Sequence, residues 1–168
     1  MKAGRTCALL ITVAAGTGLL LTCTGRERAA RNEMLAVQPL IQQGDWSGLI
    51  AHLDDLIAEY PGTEAAATAA EMIAEARGRC NELAELKARE AMVTALQFFA
   101  RDPWARVDLE DLVELGLKTD PDLTVTVVRG QQNDLEITAR HVAGNRIMVI
   151  DHTGTVTSRA VIDDRPEG

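Results

Sequence analysis

A long alanine-rich helical pattern followed by four short alternating runs is the feature that most constrains the fold of this chain. The helical pattern covers 64–100, where small and apolar residues recur every three or four positions. The runs after residue 122 instead alternate apolar and polar residues, which is typical of strands with one buried face. Because short turns separate these runs, neighbouring strands are expected to pair antiparallel. The sequence therefore predicts an α+β fold with a four-stranded antiparallel meander.

The long helix is expected to cover the apolar face of the meander. A sheet of this size with one apolar face is stable only when another element packs on it. Alanines allow close approach, and we expect Phe98 or Phe99 to pack against Val125, Val127 and Ile137. The strands are predicted at 123–127, 135–141, 146–151 and 155–161.

The buried seam of the long helix is predicted to run in two phases. Gly78 lies near its middle and costs about 1 kcal/mol relative to Ala, so a kink there is one alternative. Pro103 after Asp102 is expected to stop the helix. A short helix is then predicted between Asp108 as N-cap and Gly116 as C′ residue. The seam comprises Ala69, Ile73, Ala76, Cys80 and Leu83, then Ala84, Ala88, Ala91, Ala95 and Phe98, with Met92, Leu96 and Phe99 also facing the sheet.

Two shorter helices are predicted before the long one. Apolar residues recur at helical spacing over 28–43 and again over 46–59. Gly44 is expected to end the first helix and Asp45 to cap the second. Thr63 is expected to cap the long helix. These elements predict a helical hairpin ahead of the long helix.

The region Ala88–Thr157 resembles the globular domain of type IV pilins and pseudopilins. The resemblance rests on Ala95-Leu96-Gln97-Phe98-Phe99, on Asp111-Leu112-Val113-Glu114-Leu115-Gly116-Leu117, on the run Asp120–Gly130 and on the strand Leu135–His141. No prepilin processing motif precedes the apolar N-terminal segment. The resemblance implies a helix packed on an antiparallel sheet and protein contacts within a pilus or a type II secretion apparatus.

A second resemblance covers Met34–Glu64. The residues Gly44-Asp45-Trp46, the apolar stripe that follows and the end Glu59-Tyr60-Pro61 are similar to one tetratricopeptide-type helix pair. Repeat proteins bury a continuous core with about three units, so a plain helical hairpin is the alternative. The resemblance implies a lipoprotein adaptor in envelope assembly, with Trp46 contacting the partner.

The N-terminal segment 1–23 is predicted to be a signal peptide or a membrane anchor. Lys2 and Arg5 precede an apolar run over 6–24, in the order of an export signal. Leu20-Leu21-Thr22-Cys23 resembles a bacterial lipobox, which implies lipidation of Cys23. A lipoprotein, an uncleaved anchor and a secreted protein are the three alternatives. The chain is then predicted to contain a helical region 28–86, a pilin-like domain 87–162 and a disordered tail 163–168.

Composition and motif content indicate a chain that performs no catalysis. The net charge of −8 would repel nucleic-acid backbones, so no nucleic-acid partner is expected. His52, Cys80, His141 and His152 fall in different predicted elements, and we expect them not to converge. Acidic pairs such as Asp120 and Asp122 lack the converging oxygens of a calcium loop. We therefore expect no cofactor and no metal site.

Function is expected to lie in contacts with protein partners at the bacterial envelope, with the N-terminal segment in the membrane. Turns carry binding residues more often than regular elements do. Besides Trp46, the candidate contact residues are Gln131, Gln132, Asn133 and Asp134 in one predicted turn, and Asp151 and His152 in another. The sequence leaves the oligomeric state open. The main prediction is an envelope-anchored scaffold or accessory protein, and the tetratricopeptide-like adaptor is the alternative.

Overall fold

The structure, a computed structural model, describes residues 25–161 of the 168-residue chain. The predicted targeting segment with Cys23 and the predicted tail 163–168 lie outside the described residues. The chain is α+β, with a long helix and a four-stranded antiparallel sheet. The described residues divide into two compact units, with the division between Ala74 and Glu75. The domain boundary predicted near residue 87 lies within the same long helix as this division.

The first unit contains helices α1 (25–35), α2 (Gln38–Gln43) and α3 (Trp46–Glu59), together with the start of α4 (Glu64–Phe99). Arg31 Nη2 donates to Glu64 Oε2 at 2.7 Å, and the Glu64 amide donates to Glu27 Oε2 at 3.0 Å. These bonds join α1 to the first turn of α4. The apolar residues buried in this unit are Ala30, Val37, Leu49, Ile50, Leu53, Leu56, Ala65, Ala66, Ala69 and Ile73.

The prediction of one continuous helix over 28–43 is wrong. The chain is helical to Leu35, turns at residues 36 and 37, and becomes helical again in α2. Pro39 lies in the first turn of α2. Its ring would clash with the carbonyl of Leu35 in a continuous helix, and its nitrogen has no hydrogen to donate. A tight turn therefore replaces the helix there, with the Ala36 amide donating to Glu33 O at 3.0 Å.

The predicted signals at the end of α2 and at the starts of α3 and α4 are confirmed. Gly44 adopts φ 71° after α2, where its missing Cβ permits the left-handed conformation. Asp45 caps α3 by accepting from the Gly48 amide at 2.8 Å. Thr63 Oγ1 accepts from the Ala66 amide at 3.1 Å and so caps α4.

Helix α4 runs without interruption from Glu64 to Phe99, through Gly78. Its seam alanines 84, 88, 91 and 95 are fully buried, as predicted. Leu83 and Leu96, however, were predicted to be buried and are 37% and 49% exposed. Each residue advances about 100° around the helix axis, so both leucines lie outside the narrow arc of α4 that the alanines place in the core against the sheet.

The second unit also contains helix α5 (Leu109–Glu114), which has the two predicted caps. Asp108 and Asp111 form a reciprocal capping box, with each carboxylate accepting from the other residue's amide. Gly116 follows with φ 106°. The Leu117 amide donates to Leu112 O and the Gly116 amide to Val113 O, as in a Schellman motif.

The sheet is the predicted meander, in the order β1-β2-β3-β4. Its strands are β1 (Leu123–Arg129), β2 (Glu136–His141), β3 (Arg146–Asp151) and β4 (Val156–Ala160). The register pairs Val125 with Ala139, Ile137 with Ile150, and Ile150 with Val156, so these apolar residues share one face.

That apolar face forms one core with the second half of α4 and with the segment around α5. Phe99 is 2% exposed and belongs to the same buried cluster as Ile137, while Phe98, Val125 and Val127 pack against it. The expectation that one phenylalanine packs on this face is confirmed. The buried cluster comprises Ala84, Ala88, Ala91, Met92, Ala95, Phe99, Val107, Leu112, Leu117, Leu135, Ile137, Ala139, Met148 and Ile150.

Candidate functional site

Two of the predicted contact turns lie at the same end of the sheet. Arg129 pairs with Glu136 across β1 and β2, and Glu136 pairs with Asp151 across β2 and β3. The β1–β2 turn and the β3–β4 turn both begin at this row. The structure therefore brings Gln131–Asp134 and Asp151–His152 to the same end of the sheet. We call these two turns, together with residues 102–106, the loop end.

Residues 102–106 are attached to the loop end by backbone hydrogen bonds. Arg106 pairs with Gln131 in an isolated antiparallel bridge. The Val107 amide donates to Gly130 O at 2.8 Å. Asp102 Oδ1 accepts from the Trp104 amide at 3.2 Å, which holds the turn before the bridge. Hydrogen bonds thus hold the segment after α4 both at its start, Asp102, and at its end, Arg106 and Val107.

Trp104 projects from this fixed segment and is 92% exposed, the largest exposure among the large apolar side chains of residues 25–161. It borders a concavity of about 260 Å³. The concavity is lined by Pro103, Trp104, Ala105, Gln131, Gln132 and Asn133. An indole beside three uncharged amides can bury apolar area and can also donate and accept hydrogen bonds.

The β3–β4 turn at the loop end is organised by the Asp151 carboxylate. Asp151 Oδ1 accepts from the Thr153 hydroxyl at 2.6 Å, the Thr153 amide at 2.9 Å and the Thr155 amide at 3.1 Å. The bond from the Thr153 hydroxyl is the main cause that lowers the pKa of Asp151, despite partial desolvation. The turn is therefore stabilised above the ordinary pKa of an aspartate, and this contribution is lost as the pH falls through the lowered value.

The remaining predicted residues lie elsewhere. Trp46 opens α3 in the first unit and is half-buried. His52 Nε2 lies 3.3 Å from Glu33 O on α1, and His141 Nδ1 accepts from the Ala143 amide at 3.2 Å after β2. Cys80 is buried on α4, and His152 is exposed in the β3–β4 turn. Each of the four nucleophile and base candidates thus occupies a different element.

Within residues 25–161, no group of three or more His, Cys, Asp or Glu side chains is placed to hold a metal ion. A further concavity of about 330 Å³ lies between α4 and strands β3 and β4. Asn81 closes one side of it by donating to Asn145 Oδ1 at 2.8 Å and accepting from the Arg146 amide at 3.2 Å. Arg146 begins β3 and Asn145 lies in the turn just before it, so Asn81 ties α4 to this end of the sheet, which indicates a structural role for its side chain.

Cys80 is expected to resist alkylation while the chain is folded. Burial, with a smaller effect from Asp122, raises the pKa of the Cys80 thiol to about 11. A rise of about two units lowers the thiolate fraction near pH 8 by roughly 100-fold. We expect iodoacetamide to modify Cys80 at least about 100-fold more slowly in buffer than in urea. Mass spectrometry of the Cys80 peptide measures both rates.

Ala100→Cys provides the matched control, because residue 100 is exposed at the end of α4. Its thiol should react at similar rates in buffer and in urea. Equal rates for Cys80 in the two solvents would contradict the buried, protonated thiol. Because the pKa of Cys80 is higher in the folded chain than in the unfolded chain, the protonated thiol stabilises the folded chain fully below about pH 9. This stabilisation is lost as the pH rises toward 11.

Sequence reasoning missed Trp104 as a candidate contact residue. The sequence showed only an aromatic residue after the helix stop Asp102-Pro103. Its exposure follows from the bridge between Arg106 and Gln131, which joins segments far apart in the chain. A large apolar residue between a helix stop and a new cap was the one local signal that could have identified it.

The chain matches no protein-family model, and no curated protein is significantly similar to it. Among the residues that the structure describes, no helix is both long and apolar enough to span a membrane.

Proposed function

We propose that this chain is a non-enzymatic scaffold or accessory protein of the bacterial envelope, which binds a protein partner at the loop end. We further propose that the domain carrying this surface is pilin-like. Its partners then belong to a type IV pilus or a type II secretion apparatus. The resemblance over Ala88–Thr157 and the α+β fold support this part. The N-terminal segment supplies the anchor, through lipidation of Cys23 or as a single span.

The observation that carries the proposal is the exposure of Trp104 on a segment that is otherwise fixed. Leaving a whole indole in water forgoes the favourable burial of a large apolar side chain. Tryptophan is among the residues that contribute most to binding when a partner covers them. The backbone bonds at Asp102 and Gly130 limit the ordering cost of binding, because the segment is already held.

The surroundings of Trp104 favour a protein partner. Gln131, Gln132 and Asn133 are exposed around the indole. They can form the polar rim that usually surrounds an aromatic contact in protein interfaces. The ordered turn at Asp151 and His152 would extend this rim along the same end of the sheet.

The alternative is a tetratricopeptide-like lipoprotein adaptor that binds its partner through the first unit. The observation in its favour is Leu35, which is 70% exposed at the end of α1. Trp46 is less exposed than Trp104 and contributes part of its side chain to the unit itself. The two proposals place the partner on different units, so they can be separated by site-specific cross-linking.

We expect a photo-cross-linking residue at Gln132 to capture pilus or secretion components in the native bacterium. Trp104→Ala should reduce this capture strongly, since loss of a central tryptophan weakens interfaces by about 30-fold or more. Leu35→Ala, which removes another highly exposed apolar side chain, is the matched control and should leave capture unchanged. Captured proteins are identified by mass spectrometry.

Capture at Gln132 that persists unchanged in Trp104→Ala would contradict the role of the indole. Outer-membrane assembly proteins captured by a cross-linker at Leu35, and none at Gln132, would favour the adaptor. Because Trp104 makes little contact with the rest of the chain, its replacement should leave the unfolding curve unchanged, which circular dichroism checks.

A further inference from the structure

Strand β4 is an open edge of the sheet. It is the last strand in the order β1-β2-β3-β4, and no strand in the described part of the chain pairs with its other side. The Val161 amide, just after β4, donates to Asn145 O at 3.0 Å. Because such bonds alternate along an antiparallel pair, the odd-numbered residues of β4 bond with β3. The backbone N–H and C=O groups of Val156, Ser158 and Ala160 therefore point away from the sheet.

The opposite edge, β1, is bordered by other segments of the same chain. Helix α5 contacts β1. At the two ends of the strand, the Leu123 amide donates to Asp120 O at 3.1 Å and the Val107 amide donates to Gly130 O at 2.8 Å. The fold thus shields one edge and leaves the other accessible. An accessible edge can pair with a further extended segment.

The concavity between α4 and the last two strands borders the open edge. Its volume is about 330 Å³, and its lining includes residues 156–158 of β4. Met148 and Val156 contribute apolar atoms to this lining, and Met148 is part of the buried core. The concavity therefore has room and apolar contacts for a side chain from a segment that lies beside β4.

The charged residues around the concavity already have partners within the second unit. Glu82 accepts from Arg79 at 3.0 Å, and Glu85 accepts from Arg89 at 2.8 Å. Arg146 donates to a serine hydroxyl of β4 at 3.0 Å. A side chain that enters the concavity therefore needs no charge of its own, and contact with the apolar atoms of the core favours an aliphatic one.

Arg159 projects from β4 on the opposite face of the sheet. It is exposed, and it forms none of the ion pairs among the residues that the structure describes. The register places Arg140 of β2 on the same face. The two carboxylates that the strands place on this face, Glu136 and Asp151, lie at the loop end. The other end of the face is therefore positive, although the whole chain has a net charge of −8.

A segment that pairs with β4 can satisfy the open edge, the concavity and the positive charge together. Its backbone bonds the outward N–H and C=O groups, while its side chains point alternately to the two faces. A carboxylate opposite Arg159 forms a cross-strand pair of opposite charges, which stabilises a sheet. The residues on either side of that carboxylate then point to the face that carries the concavity.

We propose that β4 binds an extended segment of a protein partner as a fifth strand of the sheet. The segment carries an acidic residue opposite Arg159 and aliphatic residues on the side of the concavity. It pairs antiparallel to β4, because antiparallel pairing is the more stable per residue. The site shares no residue with the loop end, so the two contacts are independent.

A second copy of β4 matches this site less well. Strand β4 contains no acidic residue, so pairing between two β4 strands provides no carboxylate for Arg159. A pair centred on Arg159 would place two guanidinium groups opposite each other, which destabilises a sheet. A pair centred on Ser158 would place only the small side chains of Ser158 and Ala160 beside the concavity.

The binding is tested with the full chain in a non-ionic detergent and the rhodamine-labelled peptide Gly-Thr-Val-Glu-Val-Thr-Gly, by fluorescence anisotropy. The central Glu can lie opposite Arg159 while both valines point to the side of the concavity. A short added strand buries much less than the roughly 1,200–2,000 Å² of stable interfaces, so we expect a dissociation constant of roughly 10–100 µM. The same peptide with Lys in place of Glu should bind at least about 5-fold more weakly.

Backbone pairing is tested from both sides. Methylation of both valine nitrogens removes the N–H groups that donate to β4 and should weaken binding by at least about 10-fold. Ser158→Pro removes an outward N–H from β4 and should weaken binding similarly, at a position where an edge strand tolerates proline. Circular dichroism checks that this variant folds. Trp104→Ala is the control for the loop end and should bind the peptide like the parent chain.

The charge is tested by exchange at Arg159. Arg159→Glu should reverse the preference, so that the Lys peptide binds more tightly than the Glu peptide. Lys118→Glu makes the same change of charge at an exposed residue outside the sheet and should leave the preference of the parent chain unchanged.

The proposal is overturned if the parent chain binds neither peptide at about 1 mM, well above the expected dissociation constant. It is also overturned if the Glu and Lys peptides bind equally, or if the methylated peptide binds like the unmodified one. Dimerisation in sedimentation velocity that Ser158→Pro abolishes would assign the edge to a second copy instead. Binding only by a chain shortened to end at residue 162 would assign it to the tail 163–168.

Discussion

Replacing Phe99 with Ala is expected to lower the free energy of unfolding by about 3–5 kcal/mol. Phe99 is 2% exposed in the cluster where α4 meets the sheet. The small alanines around it on α4 cannot move in to fill the space that its ring would leave. Urea denaturation followed by circular dichroism measures the loss, which is large for a domain of ordinary stability.

Phe98→Ala is the matched control for this prediction. Its ring is only partly buried and meets Phe99 edge to face, with the ring centroids 5.6 Å apart. We expect a smaller loss, because water already reaches part of the ring. A loss below about 1 kcal/mol for Phe99→Ala would show that α4 does not cover the sheet.

Replacing Gly130 with Ala is expected to cost about 3 kcal/mol. A Cβ atom at this buried position would lie 2.0 Å from Val107 O and 3.1 Å from Arg106 Cγ. The strand and the segment after α4 must then separate, which breaks the bond from the Val107 amide to Gly130 O. The same variant should reduce partner capture at Gln132, because that segment positions Trp104.

Gly78→Ala is the matched control, since a Cβ atom at residue 78 meets nothing within 4 Å. Alanine is the better helix former, so we expect a gain of up to about 1 kcal/mol. Denaturation curves of the two variants should therefore move in opposite directions. A Gly130→Ala chain as stable as the parent would contradict the close approach of the two backbones.

Local chemistry determined the parts of the fold that the sequence predicted well. The bounds of α3 and β3 and the caps at Asp45, Asp108 and Gly116 agree with the structure. Each depends on residues within one turn of the feature. The order of the strands was also predictable, because short turns leave few other ways to pair them.

Predictions that depended on distant contacts were less successful. Leu83 and Leu96 matched the helical spacing of a seam, but spacing alone does not define how wide the buried arc is. The break before α2 had a local signal in Pro39, which the apolar spacing of 28–43 outweighed. The two turns of the loop end were named from the sequence as separate contact candidates, and their common location came only with the strand register. Trp104 joins them through a bridge between residues 25 positions apart, Arg106 and Gln131. The pilin-like identity, the anchor and the partner stay predictions.

The strand order β1-β2-β3-β4 also bears on how the chain folds during synthesis. Every strand pairs with its neighbour in sequence, so each pairing closes a loop of only a few residues at a small entropic cost. Contacts of this local kind favour rapid folding. Because ribosomes release the N-terminal part of a chain first, α4 is complete before the first strand emerges. Each hairpin can then form on a helix that is already present, which shortens the time that unpaired strand edges spend exposed to other chains.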